Sequence, residues 1–190
     1  FFRTVPILSL VRFARWEEIL AEPQPPKHLA FTRAIWHYGR GVAMAALGDE
    51  SSAMVELTAI QDLEVEVDEI FMGNFYPAQK LLEIAKSLLR GELAFRSGNF
   101  ELAITHFSQA VKEQDKLPYT EPPFWYYPTR QSLGAALLEA DRPSEAARVF
   151  ELDLEQYPMN GWSIYGLAKA LKAQGDSIGS ELAMKRFEGV

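Results

Sequence analysis

Residues 91–110 read GELAFRSGNFELAITHFSQA, and the rest of the chain can be read outward from them. Small residues stand at Gly91, Gly98, Ala103 and Ala110, and large aromatics at Phe95, Phe100 and Phe107. Gly91 and Gly98 are seven residues apart, about two helical turns, so both can share a helix face. After Gly98 the pattern restarts: Ala103, Phe107 and Ala110 sit at i, i+4 and i+7, the stripe of a second helix. Two helices joined by a Gly-Asn turn make an antiparallel hairpin whose small residues allow close approach and whose aromatics fill the space left. A hairpin of this kind cannot bury its faces alone and calls for neighbours built like it.

Upstream, residues 1–13 read as a helix with Pro6 either in its first turn or kinking it. A turn at Ala14–Arg15 leads to a short helix over Trp16–Glu22, which Pro23, Pro25 and Pro26 stop. The next helix runs from about His28 to Leu47 and ends at Gly48, a natural C-terminal cap; Glu50 to Ile60 or Leu63 makes its partner. Gln61–Tyr76 alternates acidic and apolar residues, a strand-like period, but a lone strand has no ladder partner, so a loop or frayed helix end is expected. A helix from near Pro77 to Arg96 and its partner Glu101–Lys116 follow. Downstream, Leu117–Phe124 (LPYTEPPF) is a proline-rich connection to helices at about Trp125–Ala140, Pro143–Gln156, Asn160–Gln174 and Ile178–Phe187. The fold class is all-α, a single domain over residues 1–190.

Taking the turn of each helix pair as reference (Ala14, Gly48, Gly98, Asp141, Gly175), the steps are 34, 50, 43 and 34 residues. The two larger steps fall where enlarged connections are already expected, near 61–76 and 117–124. Seven residues before the turn stand Gly41, Gly91, Gly134 and Ala168; five after it, Ala53, Ala103, Ala146 and Ser180; nine after it, Leu57, Phe107, Phe150 and Met184. Pro158 closes the fourth pair, and the first pair fits the pattern poorly. In period and in these positions the chain resembles the tetratricopeptide repeat family, whose unit is about 34 residues. The phrases RFARWEEIL, PPFWYYPTRQSLGAALLEADRPSEAARVF and NGWSIYGLAKALKAQG also resemble the C-terminal part of large bacterial tetratricopeptide proteins of unassigned function. The resemblance implies a right-handed α-solenoid of about five antiparallel helix pairs, the first degenerate.

Composition narrows the function classes. A formal net charge of −7 disfavours a nucleic-acid backbone as partner, which calls for a basic stripe. No apolar run reaches the roughly 20 residues that span a bilayer, so no membrane insertion is expected, and the basic, apolar start lacks a cleavage site. A cytoplasmic location is the expectation. Without cysteine, and with His28, His37 and His106 at no metal-ligand spacing, neither a zinc site nor any other cofactor is expected. Phosphate loops and nucleophile elbows are missing, and acidic pairs such as Glu17–Glu18 read as solvated helix surface. The reading is therefore not an enzyme.

The tetratricopeptide resemblance implies a concave groove lined by the first helix of each pair. Projecting the family's groove positions gives Phe1, Leu8, Arg12, Ile35, Val42, Leu88 and Glu139, together with the stronger candidates Tyr38, Glu92, Phe95, Arg96, Gln131, Trp162, Tyr165, Lys169 and Lys172. Aromatics dominate interface hot spots, which favours Tyr38, Phe95, Trp162 and Tyr165 as anchors. The donors of the family's two-carboxylate clamp are lacking at Tyr38, Val42, Leu89, Pro128 and Ser132, so chaperone-tail binding is excluded. The cluster Pro122–Pro128 (PPFWYYP) suits either a loop braced against the helices or one edge of a ligand site. The expected role is a non-catalytic scaffold binding a protein or peptide in the groove. Two alternatives stand beside it. Since the chain reads as a piece of a longer protein, it could be the C-terminal module of an enzyme or small-molecule binder whose site lies upstream. The other is self-association into a homodimer through the terminal repeat.

Overall fold

The computed structural model describes residues 2–67 and 76–190, and within them the regular elements are all helical. A short 3-10 turn, Phe2–Thr4, leads into α1 (Val5–Arg12), with Pro6 in its first turn, followed by α2 (Trp16–Ala21). Three pairs come next: α3 (Ala30–Ala46) with α4 (Glu50–Glu64), α5 (Ala78–Arg96) with α6 (Phe100–Gln114), and α7 (Arg130–Glu139) with α8 (Pro143–Gln156). The last pair is α9 (Gly161–Ala173) with α10 (Ser177–Glu188). Phe1 and most of the acidic stretch after Glu64 lie outside the described residues.

The five turns share one construction. Ala14, Gly48, Gly98, Asp141 and Gly175 are the residues of positive φ, at 54°, 85°, 78°, 56° and 84°, among those described. After each, the next N–H donates to a carbonyl five residues back: Arg15 to Leu10, Asp49 to Met44, Asn99 to Ala94, Arg142 to Leu137 and Asp176 to Leu171. This left-handed closure satisfies the last carbonyls of the first helix. The residue it delivers caps the second helix in three of the five: Asp49 accepts from Ser52 N–H at 3.1 Å, Asn99 from Leu102 at 3.2 Å and Asp176 from Gly179 at 2.9 Å. Asp141 is followed instead by Arg142 and Pro143, the proline starting α8.

Packing explains the spacing of small and bulky residues. A Cβ built on Gly91 would stand 2.4 Å from the Phe107 ring, and one on Gly134 would stand 2.4 Å from Phe150. In these two hairpins the small residue before the turn receives the bulky one after it, whereas Gly41 of α3 receives Leu89 of α5. Phe150 is also held from the far side by Gly166 of α9, so one ring joins two successive pairs. Along the chain each second helix packs on the next first helix (α4 on α5, α6 on α7, α8 on α9), and first helices meet at α1–α3, α3–α5 and α7–α9. Helix α5 lies deepest, with Leu82, Ile84, Ala85 and Leu89 at 0% exposure around its circumference. None of the described helices is long and apolar enough to cross a membrane.

One helix starts later than its residues suggest. The expected Trp125–Ala140 helix begins only at Arg130, and Trp125–Pro128 is irregular. The end of α6 holds this segment in place. Gln114 Oε1 accepts from Thr129 N–H at 2.7 Å, Gln114 Nε2 donates to the Tyr127 carbonyl at 3.0 Å, and Arg130 meets Asp115 through two bonds of 2.8 and 2.7 Å. Pro128 cannot donate, and the Tyr127 carbonyl and Thr129 N–H go to the Gln114 side chain, while the Pro128 and Thr129 carbonyls already accept from the first turn of α7.

Two glycine substitutions separate the backbone and packing constraints. Nothing lies within 4 Å of a Cβ at Gly98, so Gly98→Ala should cost about 1–2 kcal/mol, the left-handed conformation alone. Gly91→Ala keeps a favourable helix backbone but collides with Phe107, and should cost about 1–3 kcal/mol. Urea unfolding measures both; a neutral Gly91→Ala would contradict the close approach of α5 and α6.

Candidate functional site

The inner face of the helix pairs is occupied by the chain's own Phe124–Tyr127 segment. Trp125 is 2% exposed and packs edge-on against Tyr38 of α3, with ring centroids 5.5 Å apart. The Tyr38 and Tyr126 hydroxyls are 3.1 Å apart, and those of Tyr127 and Ser132 are 2.9 Å apart. Phe124 meets Tyr76, which meets Phe31, in a run of edge contacts at 5.4 and 5.3 Å. The PPFWYYP cluster is therefore a brace, and aromatic area is what makes it hold.

The first helix closes over this segment. Arg12 Nη1 donates to Gln131 Oε1 at 2.9 Å, linking α1 to α7 across 119 residues of sequence. Its guanidinium lies 3.7 Å from the Trp162 ring centroid and 5.2 Å from that of Tyr127. On the other side of Gln131, Asp153 of α8 is 1% exposed and accepts a hydrogen bond from Ser163 of α9. Burial pushes the Asp153 carboxyl above its usual range, against the pull of Ser163, Arg130, Gln131 and Arg12. Polar contacts thus join α1 to α7 and α8 to α9.

Between these parts lies a chamber of about 180 Å³, walled by α1, α3, α5, α7 and the aromatic segment. Arg12, Glu92, Tyr38, Tyr126, Tyr127 and Ser132 give it polar groups, and Val42 and Leu88 an apolar side. Burial raises the Tyr38 and Tyr126 phenols well above their ordinary value and pushes Tyr127 up to about 12, so all three are neutral donors at physiological pH. Outside Arg12, Tyr126 and Tyr127 there is a second, open cleft of about 740 Å³, reaching Tyr157, Met159 and Trp162.

The groove candidates divide into four groups, with Glu139 apart. Tyr38 (2% exposed) and Gln131 (9%) belong to the interior, engaged with Tyr126 and Arg12. Leu8, Ile35, Val42 and Leu88 are core residues. Glu92 and Arg96 form an ion pair of 2.7 Å at the end of α5, where Phe95 packs edge-on against Phe100. Trp162, Tyr165, Lys169 and Lys172 come together on the exposed side of α9, with the Lys169 ammonium 5.5 Å from the Tyr165 ring centroid. Glu139 is exposed on α7. Asp153 was not among the candidates, although its signal was present: it follows Ala146 and Phe150 at helical spacing, a carboxylate on an apolar stripe.

His37, beside Tyr38 in sequence, points elsewhere. Its Nδ1 meets Glu56 Oε2, and Arg40 Nε donates to Glu56 Oε1 at 2.8 Å while its Nη1 reaches the Leu20 carbonyl at 3.2 Å. This cluster ties α2, α3 and α4 together. Comparison of the chain with family models, with curated proteins and with solved structures gave no match.

Two tests follow from these contacts. A double-mutant cycle of Arg12→Ala and Trp162→Ala, read by urea unfolding, should show coupling of about 1 kcal/mol; additive effects would deny the stacking. At Glu56, burial favours the neutral acid, but hydrogen bonds from His37 and Arg40 outweigh it and hold the carboxyl below its ordinary value. Its contribution is therefore full above the unfolded carboxyl's pKa and is lost as pH falls through the folded one. Wild-type stability should drop more steeply on acidification than that of Glu56→Gln; parallel pH profiles would contradict the cluster.

Proposed function

We propose that this chain is a non-catalytic binding module, an α-solenoid of tetratricopeptide-like helix pairs, that holds a protein segment on the exposed side of α9 and in the adjoining cleft. The observation that carries the reading is the grouping of Trp162, Tyr165, Lys169 and Lys172 on one helix side, with Trp162 56% and Tyr165 43% exposed. Large rings left in solvent beside a cleft offer apolar area, and the two lysines favour acidic residues in the partner. The shared turn construction and the small-to-bulky packing support the repeat reading. The self-filled inner face argues for recognition at the edge of the groove rather than along its floor.

Panning a random-peptide display library on the immobilised chain tests this. Peptides combining apolar and acidic residues should be enriched, and Trp162→Ala/Tyr165→Ala should weaken their binding by about tenfold or more while the fold persists. Equal enrichment on the double variant, or none on the wild type, would overturn the assignment.

A further inference from the structure

The inner chamber is separate from the α9 surface, and its chemistry is that of a small-molecule site. Arg12 has five N–H donors, and its one side-chain hydrogen bond goes to Gln131; no carboxylate lies within 4.0 Å of it among the described residues. Across the same chamber Glu92 offers a carboxylate. Its Oε1 receives Arg96 Nε at 2.7 Å, and its Oε2 accepts from no described residue. Tyr38, Tyr126, Tyr127 and Ser132 also line the chamber, with their hydroxyls paired as Tyr38 with Tyr126 and Tyr127 with Ser132. In each pair one hydroxyl accepts and keeps its own O–H for a further acceptor.

These groups set conditions on an occupant. The spare guanidinium and hydroxyl donors favour an anionic, acceptor-rich group, because charge-assisted hydrogen bonds are the stronger ones. Glu92 in the same chamber would repel a ligand that is only an anion, and Arg12 one that is only a cation. A molecule carrying both charges meets both. Size narrows the class further: a cavity of about 150 Å³ holds benzene, so the chamber's roughly 180 Å³ suits a molecule of about seven or eight heavy atoms. Val42 and Leu88 provide an apolar side for a short aliphatic group.

We propose that this chamber binds a small free α-amino acid, with its carboxylate on Arg12 and the hydroxyls, its ammonium on Glu92, and an aliphatic side chain against Val42 and Leu88. The ring of Trp162 lies against the outer side of Arg12 and holds the guanidinium at the chamber wall. Entry from the open cleft passes Arg12, Tyr126 and Tyr127, which line both spaces.

Calorimetric titration of the full chain with L-valine, L-alanine, isovalerate and isobutylamine tests the proposal. The last two are L-valine without its ammonium and without its carboxylate. L-Valine should bind, and each single-charge analogue should bind about tenfold more weakly or worse. Glu92→Gln and Ser132→Ala should each weaken L-valine, with circular dichroism confirming that the helices persist. Arg12→Gln should abolish binding; if it unfolds the chain, the other two variants decide. The absence of heat with both amino acids, an analogue binding as tightly as L-valine, or affinity unchanged in Glu92→Gln and Ser132→Ala would overturn it. Glu92 and Ser132 do not line the outer cleft, so Glu92→Gln and Ser132→Ala separate this site from peptide binding at Trp162 and Tyr165.

Discussion

The contact between Tyr38 and the Trp125–Tyr126 segment is the constraint on which the arrangement of this molecule turns. Helix pairs that stack side by side leave an inner face lined with the aromatic and aliphatic residues of their first helices, and such a face must find cover. Here the cover comes from within, because the connection between α6 and α7 is long enough to place Trp125, Tyr126 and Tyr127 against α3. Gln114 and Asp115 anchor the far end of that connection, and Arg12 crosses from α1 to seal it.

Filling the inner face has consequences for both ends of the chain. Arg12 joins the first pair to the fourth through Gln131 and to the fifth through Trp162, so residues far apart in sequence are held as one body. Purely neighbour-to-neighbour packing would make stability nearly a sum of local terms; the Arg12 bridge and the aromatic segment add long-range terms to that sum. The same segment separates a small polar chamber from an open aromatic cleft.

The helix pairs were legible in the sequence because their signals are local. Turn residues, caps and the alternation of small and bulky residues each act within one hairpin, and all five positions read as turns have a left-handed backbone, Ala14 and Asp141 included. The late start of α7 was only partly legible. Pro128 disfavours helix at Tyr127, but where the backbone groups of Tyr127 and Thr129 go instead depends on Gln114, a residue of the preceding helix. Site candidates fared unevenly for the same reason. Helical spacing identifies which residues share a face, but what lies opposite them depends on the connection. Thus Tyr38 and Gln131 face inward and are covered, while Trp162 and Tyr165, near the end of the filled region, stay exposed.

Solvent exposure of the individual tryptophans tests the self-filled inner face most directly. With 5-fluorotryptophan incorporated, four fluorine resonances are expected, for Trp16, Trp36, Trp125 and Trp162, and single Trp→Phe variants assign them. On transfer from H2O to D2O the Trp125 signal should stay in place while that of Trp162 shifts, as their exposures of 2% and 56% require. A solvent-sensitive Trp125 would mean that the segment lies outside the helices and the groove is open, contrary to the account.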